Sequence, residues 1–220
     1  MPRKNTVRSF KTGCFYHLYC RGIRKSDIFK DRQDYSTFLF LLKKYLDPNF
    51  REKRFDPRTG KVVYYTPDFV YEDVELLAYC LMPNHFHLLV KNLTKPGATK
   101  LMRRVISSYA VYFNGKYQLS GSPFDKPYRS VEVETEEQLL HLSRYIHANP
   151  KNLTSQLIDY PYSSYPVFVR KNSVGWLKTE DILVYFAKAG YSNSYREFTE
   201  KWVESKETKD LISDLLLDQS

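Results

Sequence analysis

Two apolar runs, 73–82 (DVELLAYCLM) and 85–91 (HFHLLVK), are separated by only Pro83 and Asn84. Both intervening residues favour turns, and so short a link permits only antiparallel strands. This hairpin constrains the rest of the chain, because each of its faces needs a cover. Alternation puts His85, His87 and Leu89 on one face and Phe86, Leu88 and Val90 on the other. An imidazole buried without a partner costs about 1–3 kcal/mol, so two of them on one strand face imply partners or a bound ligand.

The remaining elements arrange themselves around that hairpin. Residues 13–22 (GCFYHLYCRG) form an aromatic strand bounded by glycines. In 31–46, Tyr35, Phe38, Leu39, Leu42, Tyr45 and Leu46 fall at helical spacing behind Asp31, an N-cap. The basic, proline-punctuated segment 47–72 reads as an exposed loop or small hairpin. A helix is predicted over 97–117, with Leu101, Val105, Tyr109, Tyr112 and Phe113 on one side. A short alternating strand follows at 128–134. Thr135 and Gln138 then form a capping box that opens a helix closed by Pro150.

The order is strand, helix, strand, strand, helix, strand, helix. Its first six elements match a split βαβ pattern, an α+β ferredoxin-like fold with an antiparallel sheet. Beyond about residue 160 come a connector rich in tyrosine and proline and two predicted helices, 179–188 and 194–205. The chain thus divides into a main unit, 1–158, carrying the basic insert 47–72, and a connector with a helical tail, 159–220.

Charge points toward a polyanion. Residues 1–132 hold 24 Lys and Arg against 12 Asp and Glu, whereas 133–220 hold 10 against 13. Cations neutralise phosphates and aromatic rings stack on bases, so a basic portion dense in tyrosine suits nucleic acid. A solvated basic surface is the plainer alternative. Three cysteines without a C-x-x-C pair give neither a disulfide framework nor a cysteine zinc site. No apolar run approaches a membrane span, and the basic start has no apolar stretch behind it, so a cytoplasmic protein is expected.

The predicted last helix of the main unit adds chemistry. His141, Tyr145 and Asn149, spaced four apart, make a polar stripe, while Leu139, Leu142 and Ile146 face the core. His141 and His147 are expected at the surface. In a split βαβ fold this helix can cross the sheet near the histidine face. His85 and His87 would share a metal ion there, with the Asn149 carbonyl as a third ligand and Tyr145 within reach of a metal-bound phosphate. A phenol of pKa about 10 is a poor nucleophile at neutral pH, and a divalent cation that neutralises the phosphate helps it. Attack yields a phosphotyrosine ester, which conserves bond energy for rejoining.

CLMPNHFHLLV resembles the His-hydrophobic-His (HUH) motif of single-tyrosine transposases of the insertion-sequence-200 type, and RYIHANP resembles their nucleophile helix. Similarity extends through YHLYCRGIRKSDIF, YAVYFNGKYQLSGSPF and YPYSSYPVF, and into WLKTEDILVYF and YREFTEKWV, over about 13–203. These flanks resemble the branch of REP-associated tyrosine transposases. The resemblance implies cleavage and rejoining of single-stranded DNA beside a hairpin, with magnesium or manganese. Tyr145 would be the nucleophile and His85, His87 and Asn149 the metal site, in a monomer or in a homodimer that exchanges the tyrosine helix.

His17 matches a family position and is expected to support the site from its strand. Arg21, Arg24, Lys25, Arg103 and Arg104 are the candidate DNA contacts, with Lys126 and Arg129 competing for the family's basic residue after the Gly-x-x-Phe turn. The insert is longer than the family's usual link. Two alternatives remain at this point: a catalytically idle module that binds hairpin DNA or RNA, and a zinc hydrolase using His85 and His87, which lacks a neighbouring carboxylate ligand.

Overall fold

Strand β1 (Phe15–Arg21) is the axis of the molecule. The computed structural model describes residues 9–125, 127–170, 174–187, 194–201 and 212–213. Helix α1 (Arg32–Leu46) starts on a full capping box: the Asp31 carboxylate accepts from the Gln33 and Asp34 N–H groups, and the Asp34 side chain accepts from the Asp31 N–H. Strands β2 (Glu52–Asp56) and β3 (Lys61–Tyr65) pair only with each other. The insert 47–72 is therefore built around a hairpin, the second of the two forms its sequence allows. Strands β4 (Val74–Met82) and β5 (His85–Asn92) follow, then α2 (Gly97–Tyr117), β6 (Arg129–Val133) and α3 (Glu136–Ala148).

The four main strands pair antiparallel in the order β4-β5-β1-β6. This is the split βαβ arrangement and the expected α+β class. Helices α1 and α2 cover one face, where Tyr16, Leu18, Phe86, Leu88 and Val90 pack with Phe38, Leu101, Val105 and Tyr109. Helix α3 covers the other, where Leu89 and Val133 meet Leu139, Leu142 and Ile146. A bulge between Leu76 and Ala78 resets the alternation of β4. Beyond it, Tyr79 and Leu81 join the first core while Cys80 and Met82 join the second.

Thr135 caps α3 as expected, accepting from the Gln138 N–H at 3.1 Å. The Gln138 side chain, however, accepts from Glu134, one residue before the cap. The helix ends at Ala148, and a 3₁₀ turn, Asn149–Asn152, carries Pro150.

The connector lies along the outer strand. Leu81 N–H donates to the Tyr162 carbonyl at 2.9 Å and Ser164 N–H to the Tyr79 carbonyl at 3.0 Å, which protects the edge of β4. Helices α4 (Tyr165–Arg170), α5 (Glu180–Ala187) and α6 (Ser194–Glu200) continue from it. The two predicted tail helices coincide with α5 and α6 within the described residues. Tyr160, Tyr165, Phe168, Ile182 and Tyr195 are buried in the same cluster as α3.

That packing corrects the expected exposure of two histidines. His147 is wholly buried, and His141 is half-buried beside Arg144 and the Phe198 ring. Helices from the tail cover the side of α3 that two-layer packing would leave in water. Among the described residues no helix is long and apolar enough to cross a membrane.

Candidate active site

Strand register gathers the site. Tyr19 lies opposite His87 on β5 and Arg129 on β6, and Arg21 lies opposite His85. Directly opposed residues share a face, so His17, Tyr19, Arg21, His85, His87 and Arg129 all project toward the α3 side. The loop after β1 is fastened to the turn before β5. Gly22 N–H donates to the Asn84 carbonyl at 2.8 Å, and the Ile28 and Phe29 N–H groups both donate to the Pro83 carbonyl at 2.9 Å. Gly22 is required there, because a Cβ would stand 2.0 Å from the Ser26 carbonyl oxygen.

His17 Nε2 and His87 Nδ1 are 2.9 Å apart, with the two rings stacked at 5.0 Å between centroids. Both side chains are wholly buried. Burial, followed by the neighbouring charges of His85, His17 and Arg21, holds the His87 pKa well below the ordinary imidazole value. His87 is therefore neutral and offers a lone pair. Its Nε2 is buried with no hydrogen-bond partner among the described residues, which is costly unless something binds there.

His85 stands against it, with ring centroids 4.9 Å apart and planes at 89°. The Asn84 amide nitrogen donates to the Lys25 carbonyl at 3.2 Å, which leaves its oxygen to face His85 Nδ1 at 2.6 Å. That bond fixes the proton on Nδ1 and leaves the lone pair on Nε2, the tautomer that a metal-binding imidazole needs. Tyr145, half-buried on α3, places its ring edge-on to His87 at 5.6 Å. Helix and sheet thus bring His85, His87 and Tyr145 together.

The other expected residues divide. The Asn149 side-chain nitrogen donates to the Tyr145 carbonyl at 3.0 Å, so the amide sits one turn beyond the tyrosine and steadies the helix end. Arg24 and Lys25 are exposed in a 3₁₀ turn (Ile23–Lys25), both with positive φ, beside the Asn84 turn. Arg103 is exposed on α2, across the sheet from the histidines. Arg104, also on α2, is bound to the Asp68 carbonyl and carboxylate and lies over the Tyr45 ring, so it anchors the insert. Lys126 lies outside the described residues. Among those residues no group of three or more His, Cys, Asp or Glu side chains could hold a metal ion.

Sequence reasoning overlooked three features. Tyr19 is buried beside His17 and His87, at 4.8 and 6.3 Å between rings, and its hydroxyl has no hydrogen-bond partner among the described residues. The two-residue alternation from His17 was the available signal. Asn84 orients His85 from a position that reads only as a turn residue.

The third feature is the network behind α3. His147 Nδ1 is 2.6 Å from the Tyr195 hydroxyl and Nε2 is 2.7 Å from Ser164 Oγ, while the Tyr195 hydroxyl donates to Ser143. Ser143 donates onward to the Leu140 carbonyl, and Ser164 Oγ also contacts the Tyr79 backbone. Burial pushes the His147 pKa down to about 3, so the ring is neutral. This chain of bonds fixes α3 two residues beyond Tyr145.

Comparison with known proteins agrees with the fold. The chain is similar in fold to a REP-associated tyrosine transposase solved bound to a REP hairpin, with a TM-score of 0.54 at 15% identity, covering 80% of this chain and 92% of the other. No curated protein sequence matches significantly. The family profile described as "Transposase IS200 like" matches residues 11–149, from the start of β1 through Tyr145 and Asn149. The profile spans well over half of the sequence, and the chain belongs to the IS200-like transposase family.

Proposed function

We propose that this protein is a metal-dependent transposase of the REP-associated branch, cutting and rejoining single-stranded DNA beside a hairpin through a 5′-phosphotyrosine on Tyr145. The observation that carries this reading is the Tyr145 ring set edge-on to His87, whose buried Nε2 has no hydrogen-bond partner among the described residues. A family member that retains His85, His87 and Tyr145 in one cluster has the parts for the reaction. The hairpin bound by the structural relative supports the choice of DNA.

In this mechanism His85 and His87 would hold a divalent cation, with Asn149 completing the protein's share of ligands. Such a cation would supply neutralisation of the non-bridging phosphate oxygens and polarisation of the scissile bond. Manganese accepts two imidazoles more readily than magnesium, which favours oxygen. His17 holds His87 from behind, and Asn84 does the same for His85. The Tyr145 oxygen forms a bond to phosphorus and loses its proton. The P–O3′ bond breaks, and the departing oxygen takes a proton to become a free 3′-hydroxyl. Arg21, Arg129 and Lys126, with Arg24 and Lys25 on the adjoining loop, bind the strand. Arg103 and Arg104 lie on the far layer and contribute little to that contact. Residues 1–158 serve as the catalytic unit, with 159–220 bracing α3 from behind.

The zinc-hydrolase alternative needs a third amino-acid ligand of the usual kind, and none of these types converges on the pair among the described residues. The idle hairpin-binding module remains the competing reading, and covalent trapping separates the two. Labelled hairpin oligonucleotides from the flanks of the gene are incubated with protein and manganese or magnesium, then denatured. A metal-dependent protein–DNA band, absent in Tyr145→Phe and His87→Ala, is expected. Tight hairpin binding with no adduct under any metal would sink the catalytic reading.

A further inference from the structure

The insert places an apolar surface in solvent, where a solitary hairpin has nothing to gain from it. In the β2–β3 register Lys53 opposes Tyr64 and Phe55 opposes Val62, so these four share one face. Phe55, Val62 and Tyr64 remain 66%, 59% and 65% exposed. The reverse face carries Glu52, Arg54, Asp56, Lys61, Val63 and Tyr65. It is tied to the body at one end, where Glu52 pairs with Lys44 of α1 at 2.9 Å, and within the hairpin Arg54 stacks over Tyr65 at 3.9 Å.

We infer that the outward face of this hairpin is a second nucleic-acid site, a platform on which unpaired bases of single-stranded DNA stack against Phe55 and Tyr64 while Lys53 and, at the turn, Arg58 meet the phosphates. The two rings occupy diagonal positions about 7–8 Å apart, room for two successive bases. Charge complementarity selects this occupant. The outward face has no carboxylate; on the reverse face Glu52 is paired with Lys44 and Arg54, and Asp56 stands 3.6 Å from Arg58. Arg58, at the turn, is almost fully extended into solvent. An apolar face that carries Lys53 and no carboxylate suits a ligand that combines negative charge with flat aromatic faces.

The platform follows the C-terminal end of α1, whereas the N-terminal end of that helix lies by the loop bonded to the turn before His85. Fifteen residues of helix rise about 22 Å. The platform therefore engages a stretch of strand that flanks the reacting phosphate, and it extends the proposed DNA-processing role by naming where that flank is held.

The test is binding of a fluorescent oligo(dT) of about 20 nucleotides to the full chain, read by anisotropy, beside a blunt hairpin probe. The double variant Phe55→Ser/Tyr64→Ser should lose about tenfold to a hundredfold in oligo(dT) affinity. Lys53→Gln should flatten the salt dependence, and blunt hairpin binding should change far less. Equal oligo(dT) affinity in the wild type and the double variant overturns the inference. So does a wild-type dimer in light scattering that dissociates in the double variant while oligo(dT) binding persists, which would assign the patch to a second copy. The binding readout needs no cleavage, so loss of oligo(dT) affinity without any covalent adduct would keep the platform and remove the chemistry. An adduct with unchanged oligo(dT) affinity would do the reverse.

Discussion

His17 braces His87: the two imidazoles lie in hydrogen-bond contact at 2.9 Å, both sealed from solvent, with one nitrogen of His87 left over for a ligand. For that nitrogen to coordinate, the His87 proton must sit on Nδ1 and be donated to His17 Nε2. In the proposed site His17 would fix that tautomer without itself touching the metal. Outer partners of this kind are worth about 10–100-fold in metal affinity. His17→Leu should retain the fold and weaken manganese binding by that factor in calorimetric titration. Unchanged affinity would reduce His17 to packing.

Asp34 is fully buried and accepts from Lys116, Tyr112 and Tyr117 and from the Lys30 N–H, tying the start of α1 to the end of α2. Burial raises its pKa, but the bonds from Lys116, Tyr117, Lys30 and Tyr112 outweigh burial and hold it below 3.8. A carboxylate with a depressed folded-state pKa contributes stability that is complete above the unfolded value and disappears as pH falls through the folded one. Asp34→Asn should cost about 3 kcal/mol at neutral pH. Its deficit should shrink below about pH 4, as the wild type loses the same contribution. Urea melts at several pH values check both parts.

The His147 network predicts a purely structural loss. His147→Leu keeps much of the volume but removes one bond each from Ser164 and Tyr195, so unfolding stability should fall by about 2–3 kcal/mol. Metal affinity of the folded fraction should not change. Thermal melts with and without manganese separate the two effects.

The insert should be dispensable to the fold. Apart from Arg104 with Asp68 and Lys44 with Glu52, its anchoring side-chain contacts are few, and residues 52–65 bury no core side chain. Replacing 50–66 with a short Gly-Ser link should shift stability by about 0.5 kcal/mol or less. A cooperative collapse of the melt would show that the hairpin is part of the scaffold.

Element order, the histidine hairpin and the helix that carries Tyr145 were legible because each is written locally, as alternation, helical spacing or a cap. His147 was misjudged because its partners Ser164 and Tyr195 come from later helices, and no periodicity within α3 announces a third layer. Arg104 looked like a free cation for a similar reason, since Asp68 enters its reach only after the insert has turned back. Tyr19 was passed over among many tyrosines. Only the strand register shows that it lies between His87 and Arg129.

That register also has a consequence for synthesis of the chain. Strand β1 emerges early, yet the strands on either side of it, β5 and β6, are encoded far downstream. A growing polypeptide therefore carries an unpaired aromatic strand until both arrive, and pairings of such sequence separation are slow to form. The cluster around His87 cannot exist on a partial chain. Any DNA-cutting capacity is withheld until translation has passed α3, a built-in delay between making the protein and arming it.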